Sequence, residues 1–385
     1  MKRAEQAEAQ AKQAHAHAAP REPWVRMVKR ESIGRGKAAL IRAAAVLGAL
    51  LTGALIILLL GHDPIAVYGD MIVGSLGSTT VLLETLRIAI PLLITALAIA
   101  LAFRMRFWNI GAEGQILVGA MAASYFALFQ YQNMPRLLLL LCMAAAAMVA
   151  GGLWGLIPAI FKARWNTNET LFTLMLNYIA LCFLKYLQNG PWKDPTMRGF
   201  PKIAMFNEAA RLPKVFGLHI GWIVALVLVV FVTFYLSRTK QGYEIAVVGE
   251  SQNTARYAGM RVGKILMRTM ILSGALCGLV GFLQVSGADY TLTDTTAGGV
   301  GFTAITVAWM SKLNPAVMTV VALAIAVLEK GSNKIQTTFK IPASAADVLT
   351  GIVLFFLLGC EFFINYRLVF RHKSAAKPEK EEAHG

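Results

Sequence analysis

Two polar, glycine-rich interruptions in an otherwise apolar chain hold the side chains best suited to chemistry. The first reads Phe103-Arg104-Met105-Arg106-Phe107-Trp108-Asn109-Ile110-Gly111-Ala112-Glu113-Gly114-Gln115: two arginines, an aromatic pair, then Asn109, Glu113 and Gln115 among glycines. Unpaired groups of this kind are costly against lipid. Glycine lets backbone approach backbone or ligand closely, and free amides at a half-helix start can donate to a polar substrate. Two readings stand side by side: Asn109, Glu113 and Gln115 line a pathway, or they cap and pin a helix start. The second interruption, Thr295-Thr296-Ala297-Gly298-Gly299-Val300-Gly301, runs into Phe302, Thr303, Thr306 and Trp309. At helical spacing Phe302, Thr306 and Trp309 share a face. Their rings can stack a nucleobase or sugar, or serve as packing and interfacial anchors. Asn177, in the middle of another apolar run, is either a pathway group or an interhelical hydrogen-bonding one. Asp289, Asp294 and the threonines around them read as a solvated loop or a meeting place for an external partner.

A third stretch, Ser237 to Arg268, is too patterned for a plain connector. It carries Glu250 ahead of Ser251-Gln252-Asn253-Thr254-Ala255-Arg256-Tyr257-Ala258-Gly259. A short helix over about 251–259, with small residues beside the single aromatic Tyr257, suits docking into a groove on another protein. The plain alternative is an amphipathic surface helix. No Gly-x-x-x-x-Gly-Lys-Ser/Thr occurs, since Gly36-Lys37 and Gly263-Lys264 both lack the earlier glycine. The chain is therefore expected not to be an enzyme, and any ATP hydrolysis falls to a separate subunit. Cys142, Cys182, Cys277 and Cys360 lie far apart within apolar runs, and no histidines pair at ligand spacing, so neither metal nor cofactor is expected.

The elements that must position these groups follow from composition. Hydrophobic residues make up 57% of 385 and charged ones 15%, where a soluble domain carries about 25% charge. Ten spans of about 20 residues would use about half the chain. An all-α polytopic membrane protein results, with apolar runs at about 38–60, 84–103, 110–129, 137–161, 169–188, 219–236, 268–287, 300–311, 315–329 and 344–366. The pair around Asn314-Pro315 is short; it is either two segments or one bent span. Five runs in each half force the second half to be inverted, and each half contains one broken helix, a transporter architecture. The net charge of +16 sits in blocks between runs. Lipid and the positive-inside rule account for it without nucleic acid. Lys and Arg placement puts both tails (1–37 and 369–385) and the 237–267 loop in the cytoplasm, with 189–218 outside and residues 38–368 as the membrane domain. The apolar core lies too far from the start for a cleaved signal.

These residues resemble permease subunits of bacterial ABC importers in the family serving branched-chain amino acids, ribose and other sugars, and nucleosides. The nearest likeness is to the nucleoside (simple-sugar-like) branch. It rests on Phe107 to Gln115, on Asn168-Glu169 with Thr173 to Ala180, and on Val248-Gly249-Glu250 through Ala255 to Met260. Gly301 to Ala308 is a weaker match, and the likeness spans about residues 80–365. The resemblance implies a type II importer permease fold in the bacterial cytoplasmic membrane. It further implies an ATPase partner seated on the 251–259 coupling helix through Glu250, Ala255, Arg256, Tyr257 and Gly259. A second, different permease chain and an external substrate-binding lipoprotein complete the assembly. Ser251-Gln252 replaces something like Asn-Pro, and Thr303-Ala304 replaces an Asp-Gly common in relatives. The competing readings are a sugar or branched-chain amino acid permease of the same family, and an ion-coupled transporter using Glu113 or Asp347.

Overall fold

The computed structural model describes residues 25–29, 34–196 and 199–370; most of the two expected tails lies outside the described residues. The helices, in order, are α1 (Arg35–Leu59), α2 (Pro64–Leu76), α3 (Thr79–Arg104), α4 (Ala112–Phe129), α5 (Arg136–Trp165) and α6 (Glu169–Asn189). After the 189–218 loop come α7 (Gly221–Arg238), α8 (Lys240–Glu250), α9 (Gln252–Tyr257) and α10 (Val262–Leu283). A π-helical turn, Gln284–Asp289, extends α10, and α11 (Val300–Met310), α12 (Pro315–Thr338) and α13 (Ala343–Asn365) follow. Among the described residues four short strands add to the helices: β1 (Val25–Lys29), β2 (Lys214–Val215), β3 (Leu218–His219) and β4 (Tyr366–Phe370).

Among the described residues nine helices are long and apolar enough to cross a membrane. Ten were expected, and the difference is α11. Its 11 residues rise about 16 Å, roughly half the hydrocarbon thickness. The 300–329 region is two helices. Lys312 and Leu313, both with left-handed backbone (φ 51° and 59°), turn the chain, and Asn314 caps α12 by accepting the Ala316 N–H at 3.0 Å with Pro315 in the first turn. Helix α2 was not anticipated. Asp63 caps it (Ile65 N–H, 3.0 Å) ahead of Pro64, a start signal readable in sequence but attached to only 13 residues.

The described residues fall into two units, Leu51 to Leu354 and a smaller one joining residues up to Leu50 with those from Phe355 onward. In the smaller unit Arg42 pairs with Glu361 at 2.7 Å and β1 runs antiparallel to β4, Val25 opposite Phe370. In the larger unit α3 is buried from Ala89 to Phe103, because other helices surround it instead of lipid. Helices α4, α5 and α10 meet through glycines. A Cβ on Gly151 would strike the Gly274 carbonyl, and one on Gly119 or Gly151 would strike the Gly278 backbone. Small residues let helix backbones touch where no hydrophobic effect drives association. Ser273 adds an interhelical hydrogen bond to the Ala98 carbonyl (2.7 Å).

Candidate functional site

The first interruption occupies Met105 to Gly111, between α3 and α4. Arg106 is exposed, but Asn109 and, on the first turn of α4, Gln115 are turned inward. Asn109 and Gln115 are 0% and 1% exposed; their amides face each other at 3.3 Å, and Asn109 Oδ1 also accepts the Gly111 N–H at 3.0 Å. From α6, Asn177 Oδ1 accepts the Gly114 N–H (2.8 Å) and its Nδ2 donates to the Ile110 carbonyl (2.9 Å). Thr173 Oγ1 accepts the Ile110 N–H at 3.2 Å. Unwound backbone among apolar helices leaves amides and carbonyls that need partners, and α6 supplies them. The start of α6 is itself fixed: Asn168 accepts the Thr170 and Leu171 N–H groups, and Glu169 pairs with Lys162 at 2.9 Å.

Glu113 reaches the second interruption. Its two oxygens accept the Gly299 N–H (2.8 Å) and the Gly301 N–H (2.7 Å), the pattern of an ionised carboxylate at a helix N-terminus. Glycine is required at both positions for different reasons. Gly299 has φ +80°, and a Cβ on Gly301 would lie 2.7 Å from Glu113 Oε2 and 2.5 Å from its backbone nitrogen. At the other end of α11, Trp309 stacks on Trp108 (5.5 Å, 15°), with Phe103 edge-on to Trp108 at 5.1 Å. Helix α11 is thus gripped at one end by the first turn of α4 and at the other by Trp108 of the first interruption. Its buried side carries Gly301, Ala304, Val307 and Ala308. Phe302 and Trp309 are about half exposed on the opposite side, with Thr303 and Thr306 partly exposed between them. Trp108, 38% exposed, extends the ledge; only the pairing with Trp309 identifies it.

The 237–267 loop forms two helices. Ser251 caps α9 through the Thr254 N–H (3.2 Å), and Gly259 ends the turn with φ +77°. Tyr257 is 93% exposed, and Glu250, Arg256 and Gly259 are exposed with it, whereas Ala255 is fully buried. Ala255 therefore packs α9 onto its base, while its neighbours form the outer surface. That base is anchored: Arg268 pairs with Glu244 (2.9 Å), and Tyr235 donates to Gln241 (2.7 Å). A Cβ on Gly249 would overlap the Arg104 carbonyl, so α8 rests directly on the last turn of α3, where the first interruption begins. Sequence patterning could not reveal this contact, because a lone glycine in a helix has many causes.

The family described as the branched-chain amino acid transport system permease component matches residues 81–358. The chain is 35% identical to a glucose ABC transporter permease protein of Haloferax volcanii over 84% of this chain and 88% of that one. It is 34% identical to a guanosine ABC transporter permease protein of Bacillus subtilis, covering 83% of this chain and 92% of the relative. A nucleoside ABC transporter permease protein of Lactococcus lactis subsp. cremoris is 31% identical, over 89% and 98% of the two chains.

Proposed function

The chain belongs to the branched-chain amino acid transport system permease family, and from that premise we propose that it is the permease subunit of an ATP-driven importer of nucleosides. The observation that carries the reading is the likeness to guanosine and nucleoside permeases along more than four fifths of the chain. The half-exposed Phe302, Trp309 and Trp108 support a cargo with a flat ring, since stacked rings favour aromatic partners. In this reading an ATPase docks on the exposed Tyr257–Gly259 surface and on Glu250 and Arg256. Its motion passes from α8 through Gly249 to the end of α3, and so to the interruption that holds α11. Asn109, Gln115 and Asn177 keep the unwound backbone rigid, Glu113 ties the two interruptions together, and Phe302, Thr303, Thr306 and Trp309 face the cargo. A second, different permease chain completes the pathway, an external lipoprotein delivers substrate, and both tails face the cytoplasm of a bacterium with lipid around the spans. Glucose is the competing cargo, favoured by the Haloferax relative.

Proteoliposomes containing this chain, its ATPase, a second permease and the lipoprotein test the reading. ATP-dependent uptake of guanosine or adenosine is expected, with none from this chain alone. Uptake of glucose in place of nucleosides would overturn the cargo. Uptake by this chain alone, collapsed by an uncoupler, would show an ion-coupled transporter instead.

A further inference from the structure

A polar cavity of about 290 Å³ lies between α3, the π-helical end of α10, the loop before α11, and α12. Its depth follows from α3. Pro91, in its wall, is seven residues or about 10 Å from Glu84 and thirteen residues or about 20 Å from Arg104. The cavity therefore runs from mid-helix to the end of α3 opposite the α8–Arg104 contact. Its floor includes Gly298 and Val300, which flank one of the two amides latched by Glu113.

The groups around it are mixed in sign. Glu84 pairs with Lys330 at 2.5 Å and Arg87 donates to the Ala288 carbonyl, so both cations are already held in place. Asp289 and Glu329 form no ion pair among the described residues; Gln284 donates towards Asp289 and Arg87 lies near it, leaving the remaining carboxylate lone pairs and Thr295 to face the space. Gln284 and Asp289 stand on the π-helical turn, a rare geometry frequently found at functional sites. A polyol has hydroxyls that each donate and accept. Carboxylates accept hydrogen bonds from the hydroxyls, while Arg and Lys donate to the hydroxyl oxygens. A purely anionic or cationic ligand would meet a like charge here, and an apolar one would strand the polar groups. No aromatic side chain lines the space, which leaves no surface to stack a base. The volume is at the small end of ligand sites, about 300–1,000 Å³, room for one sugar ring.

We propose that this cavity is the site where the permease receives the sugar ring of its cargo, with Asp289 and Glu329 accepting its hydroxyls. The proposal rests on the importer reading above and names the part of the cargo recognised. It also explains how occupancy reaches the pathway, because the floor of the site is the loop that Glu113 holds.

The test uses the assembled permease–ATPase complex in nanodiscs, without lipoprotein, probed with adenosine, 2′-deoxyadenosine and D-ribose by thermal shift and calorimetry. Adenosine and ribose should stabilise the complex, and deoxyadenosine should bind more weakly. Asp289→Asn and Glu329→Gln, nearly isosteric, should each weaken adenosine binding about tenfold or more, since a hydrogen bond to a charged group is lost. The gap between adenosine and its deoxy analogue should shrink. Melting without ligand reports folding separately, and Asp294→Asn, exposed beyond the cavity, should bind like wild type. If wild-type proteoliposomes import adenosine yet both substitutions leave adenosine and ribose binding unchanged, the site assignment falls and the importer reading survives. If the wild-type assembly imports neither nucleoside nor sugar, the importer reading falls and takes the assigned ligand with it.

Discussion

Replacing Glu113 with Gln isolates the link between the two interruptions. The carboxylate accepts two backbone N–H groups, from Gly299 and Gly301, and hydrogen bonds to charged acceptors are worth about 1.5–3 kcal/mol each. Gln keeps one oxygen and turns an NH2 towards the other amide. One bond is lost, the second becomes neutral, and the favourable anion at the helix start, about 0.3–1 kcal/mol, disappears. With about 1 kcal/mol for the second bond, the sum is about 2–5 kcal/mol, which should raise the population of locally opened α11 by about 30- to 4,000-fold. Amide hydrogen exchange over residues 299–302 in the nanodisc complex reads this directly. Glu113→Asp keeps the charge but is one methylene shorter, so it should open the same amides less. If exchange in Glu113→Gln stays at the wild-type rate while uptake weakens, Glu113 meets the cargo and does not latch the helix, and the reasoning fails.

Three further outcomes follow from the same geometry. Burial, and after it the nearby Arg87, hold the His219 imidazole down to about 4, where its Nδ1 accepts the Gly221 N–H. Between pH 6.5 and 4 the unfolded chain therefore binds a proton that the folded one refuses. Stability should fall as pH drops through that window, by about 3 kcal/mol in full; thermal unfolding of His219→Gln should show a shallower pH slope, and an equal slope rejects the assignment. Gly249→Val should push α8 off the Arg104 carbonyl, at an overpacking cost of about 1–3 kcal/mol. Transport should drop more steeply than ATPase co-purification, and unchanged uptake would remove Gly249 from the coupling route. Ala255→Asp should lower the melting temperature, because it buries an unpaired carboxyl, whereas Tyr257→Ala should stay within about 0.5 kcal/mol of wild type yet weaken ATPase co-purification. Equal melting temperatures for these two variants would contradict the burial seen here.

The sequence by itself determined where the long helices lie and where they break, though not the short α2 and α8. Apolar runs, polar Gly-rich gaps and cap residues such as Asn168, Ser251 and Asn314-Pro315 act within a turn or two of chain, and so does the hydropathy that marks a span. Even there, run length had to be read against bilayer thickness, and α11, as apolar as its neighbours, proved half a span long. Tertiary structure alone decided what the conspicuous polar groups do. Glu113 finds its partners 186 and 188 residues away, Asn177 finds its own 63 and 67 away, and Ala255 faces inward although its spacing suits either side. Such pairings depend on which helices lie side by side, and in a membrane that is set by small-residue contacts between distant segments, Gly151 against Gly274 and Gly119 against Gly278. Local pattern carries no record of those neighbours.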